Sequence, residues 1–191
     1  MENDRLTLAA ILALVRATLT LLLASLVSRL APQAGFGPKL ITALLTVISF
    51  LLFAYIFTTF KRLLNERCRF HATDLAIAGL IGLNGLAAAL TLSGLFVPGL
   101  ADTFVLKLVS VAFGLLLSVF ALQLLLRLDD PLFGLRKIYA GLLTVAGLGI
   151  ASLKLAGVGV IFGAVADILL AVIFVRVGRG TADTGPHATI D

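Results

Sequence analysis

The chain holds one cysteine, no tryptophan, two histidines and two tyrosines in 191 residues, and only 13% of its residues are charged. Each shortage excludes something. A lone Cys68 rules out an internal disulfide and any CxxC redox or zinc pair. His71 and His187 lie in a connecting stretch and near the end of the chain, so no imidazole stands inside an apolar segment to ligate haem. No cluster of His, Cys and carboxylates has metal-ligand spacing. No glycine loop is followed by Lys-Ser/Thr for phosphate binding, and no Ser, His and Asp set is in evidence. These gaps argue against an enzyme, a cofactor or a resident metal. The shortage of charge excludes an ordinary soluble surface, which carries roughly 25% charged residues.

What fills the chain is apolar. Hydrophobic residues make up 60% of it, and the mean hydropathy is +1.14. Such a composition cannot cover itself with polar surface, so its solvent must be largely lipid. The net charge of +5 does not point to nucleic acid, because the basic residues punctuate apolar runs and form no continuous basic face.

A spanning helix needs about 20 apolar residues rising 1.5 Å each. Six stretches meet this need: Leu6–Val27, Leu40–Phe60, Leu75–Val97, Thr103–Leu126, Ile138–Leu153 and Gly157–Val175. The fifth is the shortest. The turn at Lys154 is tight, but Leu135–Val177 has about twice the length of one crossing, so two spans are expected there. The expected fold is an all-α bundle of six transmembrane helices in one domain over residues 1–177, with a tail over 178–191. Pro32, Pro38, Pro98, Pro131 and Pro186 all fall outside the spans, where a residue lacking an amide hydrogen does least harm. The stretch Leu19–Ala31 resembles a signal core. Arg16 and the acidic residues at the start speak against one, and it reads as a membrane helix.

Orientation follows from Lys and Arg. With six spans, one side collects Arg5, Lys61, Arg62, Arg67, Arg69, Arg127, Arg136, Lys137, Arg176 and Arg179; the other has Arg29, Lys39, Lys107 and Lys154. Positive loops stay in the cytoplasm. Both ends are therefore expected inside, in the inner (plasma) membrane. Tyr55 and Tyr139 fall near the cytoplasmic ends of their spans, where an amphipathic ring is comfortable. The basic loop Lys61–Arg69 suits anionic headgroups, and Asp129-Asp130-Pro131 reads as a turn.

Polar groups at membrane depth carry the most information. A charge in hydrocarbon costs at least about 2.5–3.5 kcal/mol, so it turns toward protein or water. Arg16 lies roughly 15 Å from the start of the first span and Asp167 roughly 12 Å from the end of the last. Asn84 and Ser118 fall at comparable depth. Arg16, Asn84, Ser118 and Asp167 therefore form a candidate polar layer, with Arg16 and Asp167 expected to pair. Fixing helix register and serving a transport pathway are both open to such a pair. Gly159 and Gly163 share the Asp167 face, and Gly79 and Gly82 lie on the third span; all four are candidate close-packing positions. Phe50, Phe53, Phe57 and Phe60 form a stripe at helical spacing, expected to face lipid or a neighbouring helix. A faint echo relates Ala78-Gly79-Leu80 with Gly85-Leu86 to Ala140-Gly141-Leu142 with Gly147-Leu148. A duplicated hairpin and chance in apolar sequence both explain it.

The expected function is a non-catalytic scaffold or accessory subunit of a membrane assembly, with membrane lipids and other membrane subunits, or itself, as partners and no nucleic acid. The alternative is a small oligomeric transporter or channel using the polar layer. Unbroken helices weigh against the alternative, because many transporters interrupt theirs at the binding site.

Overall fold

The computed structural model describes residues 2–29, 35–97, 104–128 and 134–180. Among these residues the chain forms helices and no strands. The order is α1 (Glu2–Arg29), α2 (Phe36–Arg67), α3 (Asp74–Phe96), α4 (Phe104–Arg127), α5 (Arg136–Ala151) and α6 (Ala156–Gly180). Five are long and apolar enough to cross a membrane. The exception is α5, whose 16 residues rise about 24 Å against a hydrocarbon core of about 30 Å. The protein is a helical membrane bundle. Asp129, Asp130 and Pro131 of the expected turn, and the tail beyond Gly180, lie outside the described residues.

Each helix packs against its neighbours in the chain, and α6 returns to pack against α1. The bundle is a closed circuit of six helices. Its ends meet at one level: a methyl built on Gly178 of α6 would touch Leu6 of α1 at 3.8 Å. The first and last helices therefore run antiparallel, and the described chain begins and finishes at one end of the bundle.

The centre belongs to the phenylalanine stripe of α2. Phe53, Phe57 and Phe60 are buried. Phe60 meets Phe120 of α4 at 6.3 Å, Tyr139 of α5 at 5.6 Å and Phe174 of α6 at 6.3 Å between ring centroids, each edge to face. Phe57 adds a tilted contact with Phe120 at 6.0 Å. Such pairs add about 0.5–1.5 kcal/mol each beyond the area they bury. Of the two settings expected for this stripe, packing is the one found. Tyr139 departs from the expected interfacial position: it is 1% exposed. Hydropathy places a residue in height but does not show which way its ring turns, and this one turns inward beneath Phe60.

The outside is apolar as well. Ile11, Leu14 and Val15 of α1 and Ile161, Val165 and Ile168 of α6 are exposed, while the inner face of α1 is Ala9, Ala10, Ala13 and Ala17. Lipid tails are as apolar as leucine, so large residues gain nothing by turning inward, and small ones let backbones approach.

Helix α2 continues through Arg67, although Lys61–Asp74 reads as a loop in the sequence. Lys, Arg, Leu and Glu propagate a helix well, and charge ends a hydrocarbon span without ending its hydrogen-bond ladder. The true end is a C-terminal cap. The Phe70 amide donates to the Leu64 carbonyl at 3.0 Å, and Arg69 takes φ 48°, the left-handed conformation this motif requires. The chain re-enters at Asp74, whose carboxylate accepts from Asn65 Nδ2 at 3.0 Å and pairs with Lys61 Nζ at 3.5 Å. A carboxylate in the first turn also complements the α3 dipole.

Candidate functional site

The site is the seam between α1 and α6. Arg16 follows the alanines Ala9 and Ala13 on the inner face of α1, where the absence of bulk lets α6 come close. From α6, Asp167 projects between Ala164, Ala166, Leu170 and Ala171, all buried. The Arg16 Nη1 donates to Asp167 Oδ1 at 2.5 Å, and the two side chains are 14% and 7% exposed. Arg16 also lies over Phe53, its guanidinium carbon 4.6 Å from the ring centroid. A cation over an aromatic face is attracted by the ring quadrupole, by about 2 kcal/mol when desolvated. The guanidinium thus joins three helices: α1 carries it, α6 neutralises it and α2 supplies the ring.

The pair is not saturated. Arg16 Nε and Asp167 Oδ2 are buried without a hydrogen-bond partner among the described residues. Tyr139 of α5 is buried, its ring edge to face with Phe60 at 5.6 Å.

The other two members of the expected polar layer stand apart. Ser118 is buried, but its hydroxyl donates to the Gly114 carbonyl of its own helix at 3.0 Å. Its surroundings are the α4–α5 crossing, where a methyl on Gly147 would lie 2.4 Å from Ser118 Oγ. Asn84 of α3 is half-buried. No hydrogen bond or ion pair links Asn84 or Ser118 to Arg16 or Asp167.

The glycines divide likewise. Gly159 is in close backbone contact with α5, a methyl there falling 2.7 Å from the Ala146 carbonyl and the Ile150 amide; one on Gly79 would meet Leu116 of α4 at 2.8 Å. Around Gly82 and Gly163 a methyl would meet nothing within 4 Å, so these two are not close-packing positions. The four-residue spacing marks a shared face of α6, but that face is wider than the contact it makes.

Sequence reasoning missed Phe53 as a companion of the ion pair. The signal for Phe53 was present. It belongs to the one aromatic stripe in the chain, and a cation at membrane depth seeks either a carboxylate or an aromatic face.

Chemically, the arrangement neutralises a positive charge inside an apolar bundle and fixes one helix against another. No protein-family model, no curated protein and no solved structure gives a significant match to the chain.

Proposed function

We propose that the chain is a non-catalytic membrane component, a scaffold or accessory subunit of a larger assembly, in which Arg16 and Asp167 hold the α1–α6 seam closed. The observation that carries this reading is that the two charges at membrane depth engage each other at 2.5 Å beside an interior occupied by Phe53, Phe57, Phe60, Phe120 and Phe174. The distribution of basic residues supports both ends in the cytoplasm and insertion in the inner (plasma) membrane. Lipids, further membrane subunits or a second copy are the partners this role calls for.

The test uses Asp167→Asn, Arg16→Gln and the double variant. Removing one partner of a buried ion pair leaves the other charge stranded and costs about 3–5 kcal/mol. Each single variant should lose that much stability in detergent, and the double variant should regain most of it. Purification from native membranes in mild detergent should bring a partner in fixed stoichiometry; a lone chain would overturn the subunit role.

A second reading, a small oligomeric transporter, is favoured by one observation, the unpartnered Asp167 Oδ2. A buried carboxylate oxygen with spare acceptor capacity is the kind of group that takes up a proton or cation within a membrane. Proteoliposomes in which the wild type conducts protons or sodium, and a folded Asp167→Asn variant does not, would select that reading.

A further inference from the structure

At the end of the bundle where α1 begins, its first turn and the last turns of α2 enclose a groove of ≈ 390 Å³. Its walls combine Leu6 and Leu63 with Tyr55, Arg5, Arg62 and Glu66. Leu6 and Leu63 are buried, whereas Arg5, Arg62 and Glu66 are exposed. Among the described residues, neither arginine has a carboxylate within ion-pair distance. Two guanidinium groups thus line one groove without an ion-pair contact among the described residues, at the edge of the apolar zone.

The groups are ordered in height. Along α2, Arg62 stands about 10 Å beyond Tyr55, and Glu66 about 6 Å beyond Arg62. Arg5 comes in from α1 immediately outside Leu6. From the membrane interior outward the groove therefore offers phenol, paired guanidinium and carboxylate, with Leu6 and Leu63 forming an apolar floor level with the guanidiniums. A phospholipid standing in a leaflet presents ester, phosphate and headgroup in that order. Arginine's planar fork suits phosphate oxygens, and basic pockets between helices at a membrane surface bind lipid headgroups. The carboxylate narrows the choice: a glycerol headgroup brings nothing positive to Glu66, whereas an ethanolamine headgroup brings an ammonium next to its phosphate.

We propose that this groove binds a phospholipid of the phosphoethanolamine class, its phosphate held by Arg5 and Arg62 and its ammonium by Glu66. The site requires only the membrane setting of the bundle and not the scaffold role. It is tested by native mass spectrometry of the purified full chain in detergent with an equimolar mixture of phosphatidylethanolamine and phosphatidylglycerol. The wild type should retain the ethanolamine lipid over the glycerol lipid by about fivefold, the scale of one exposed ion pair. Arg5→Gln with Arg62→Gln should lose both lipids. Glu66→Gln should keep phosphate binding and bring the preference for the ethanolamine lipid down to about one, the loss of that single ion pair, while Lys137→Gln, outside the groove, should behave as wild type. Equal retention of the two lipids by the wild type would overturn the proposal. So would unchanged retention in the doubly substituted chain at unaltered melting temperature. Should that chain fail to fold, the Glu66→Gln variant decides: an unchanged preference for the ethanolamine lipid overturns the site.

Discussion

At the scale of single residues, the tightest constraints in this bundle are places where a side chain must be missing. Gly114 and Gly147 face each other across the α4–α5 crossing, and a methyl on Gly114 would lie 2.4 Å from the Gly147 carbonyl oxygen and 2.6 Å from the Ala151 amide nitrogen. Backbone cannot step aside as a flexible side chain can. Gly114→Ala should therefore destabilise by about 1–3 kcal/mol, the usual scale of overpacking, read as a lowered melting temperature in detergent. Gly82→Ala and Gly163→Ala meet open space and remove a poor helix former. They should be neutral or stabilise by up to about 1 kcal/mol. Equal losses at Gly114 and Gly82 would contradict the packing described. Residue chemistry also shows where sequence reading succeeds. Arg16 and Asp167 were legible because counting residues from a span end measures depth, and two opposite charges at one depth in hydrocarbon have few other solutions. Asn84 and Ser118 have similar depth, but depth carries no azimuth. A serine can moreover satisfy itself on the carbonyl four residues back, as Ser118 does, so it need not seek a partner across the bundle.

At the scale of elements, two helices end on residues that resist the conformation they hold. Arg69 after α2 and Leu153 after α5 have φ of 48° and 56°. The left-handed region costs a residue with a Cβ about 1–2 kcal/mol, a cost glycine escapes. Leu153 is 43% exposed, so little packing is lost with its side chain. Leu153→Gly should raise the melting temperature by an amount equivalent to about 1 kcal/mol, and Arg69→Gly should act in the same direction; a fall in both would mean the side chains contribute more than the backbone strain removes. The spans were largely legible because hydrocarbon demands an unbroken apolar run and prolines mark the gaps. The extension of α2 was not, because hydropathy reports the solvent around a helix and not its hydrogen bonds. Nor was the direction of the Phe53–Phe57–Phe60 stripe. In water an apolar stripe points inward by necessity; in lipid both faces are apolar, and periodicity identifies a face without saying what it faces.

At the scale of the whole molecule, the circuit closes through one contact that is distant in sequence. By backbone approach, every other pairing among the described helices joins consecutive elements, and α1 with α6 joins the first to the last. That closure can be trapped covalently. The Cβ built on Gly178 lies 3.8 Å from that of Leu6, which matches the mean Cβ separation of a disulfide, about 3.8 Å. In a Cys68→Ala background, Leu6→Cys with Gly178→Cys should cross-link within one chain on mild oxidation, seen as faster migration in a non-reducing gel. Failure to form that link, or a link only between chains, would separate α1 from α6 and undo the circuit.

The same closure has a cost in time. Arg16 and Asp167 are 151 residues apart in the chain. At synthesis rates of about 5–20 residues per second, a first helix already in the bilayer waits roughly 8–30 s before its counter-ion is even made. During that interval the guanidinium must be sheltered by something other than aspartate. Phe53 of the next helix, emerging only seconds later, is the earlier made of the two groups that hold Arg16 in the finished protein. The aromatic face that shares Arg16 with the carboxylate in the finished protein would then be its first host, and the ion pair the last bond to form.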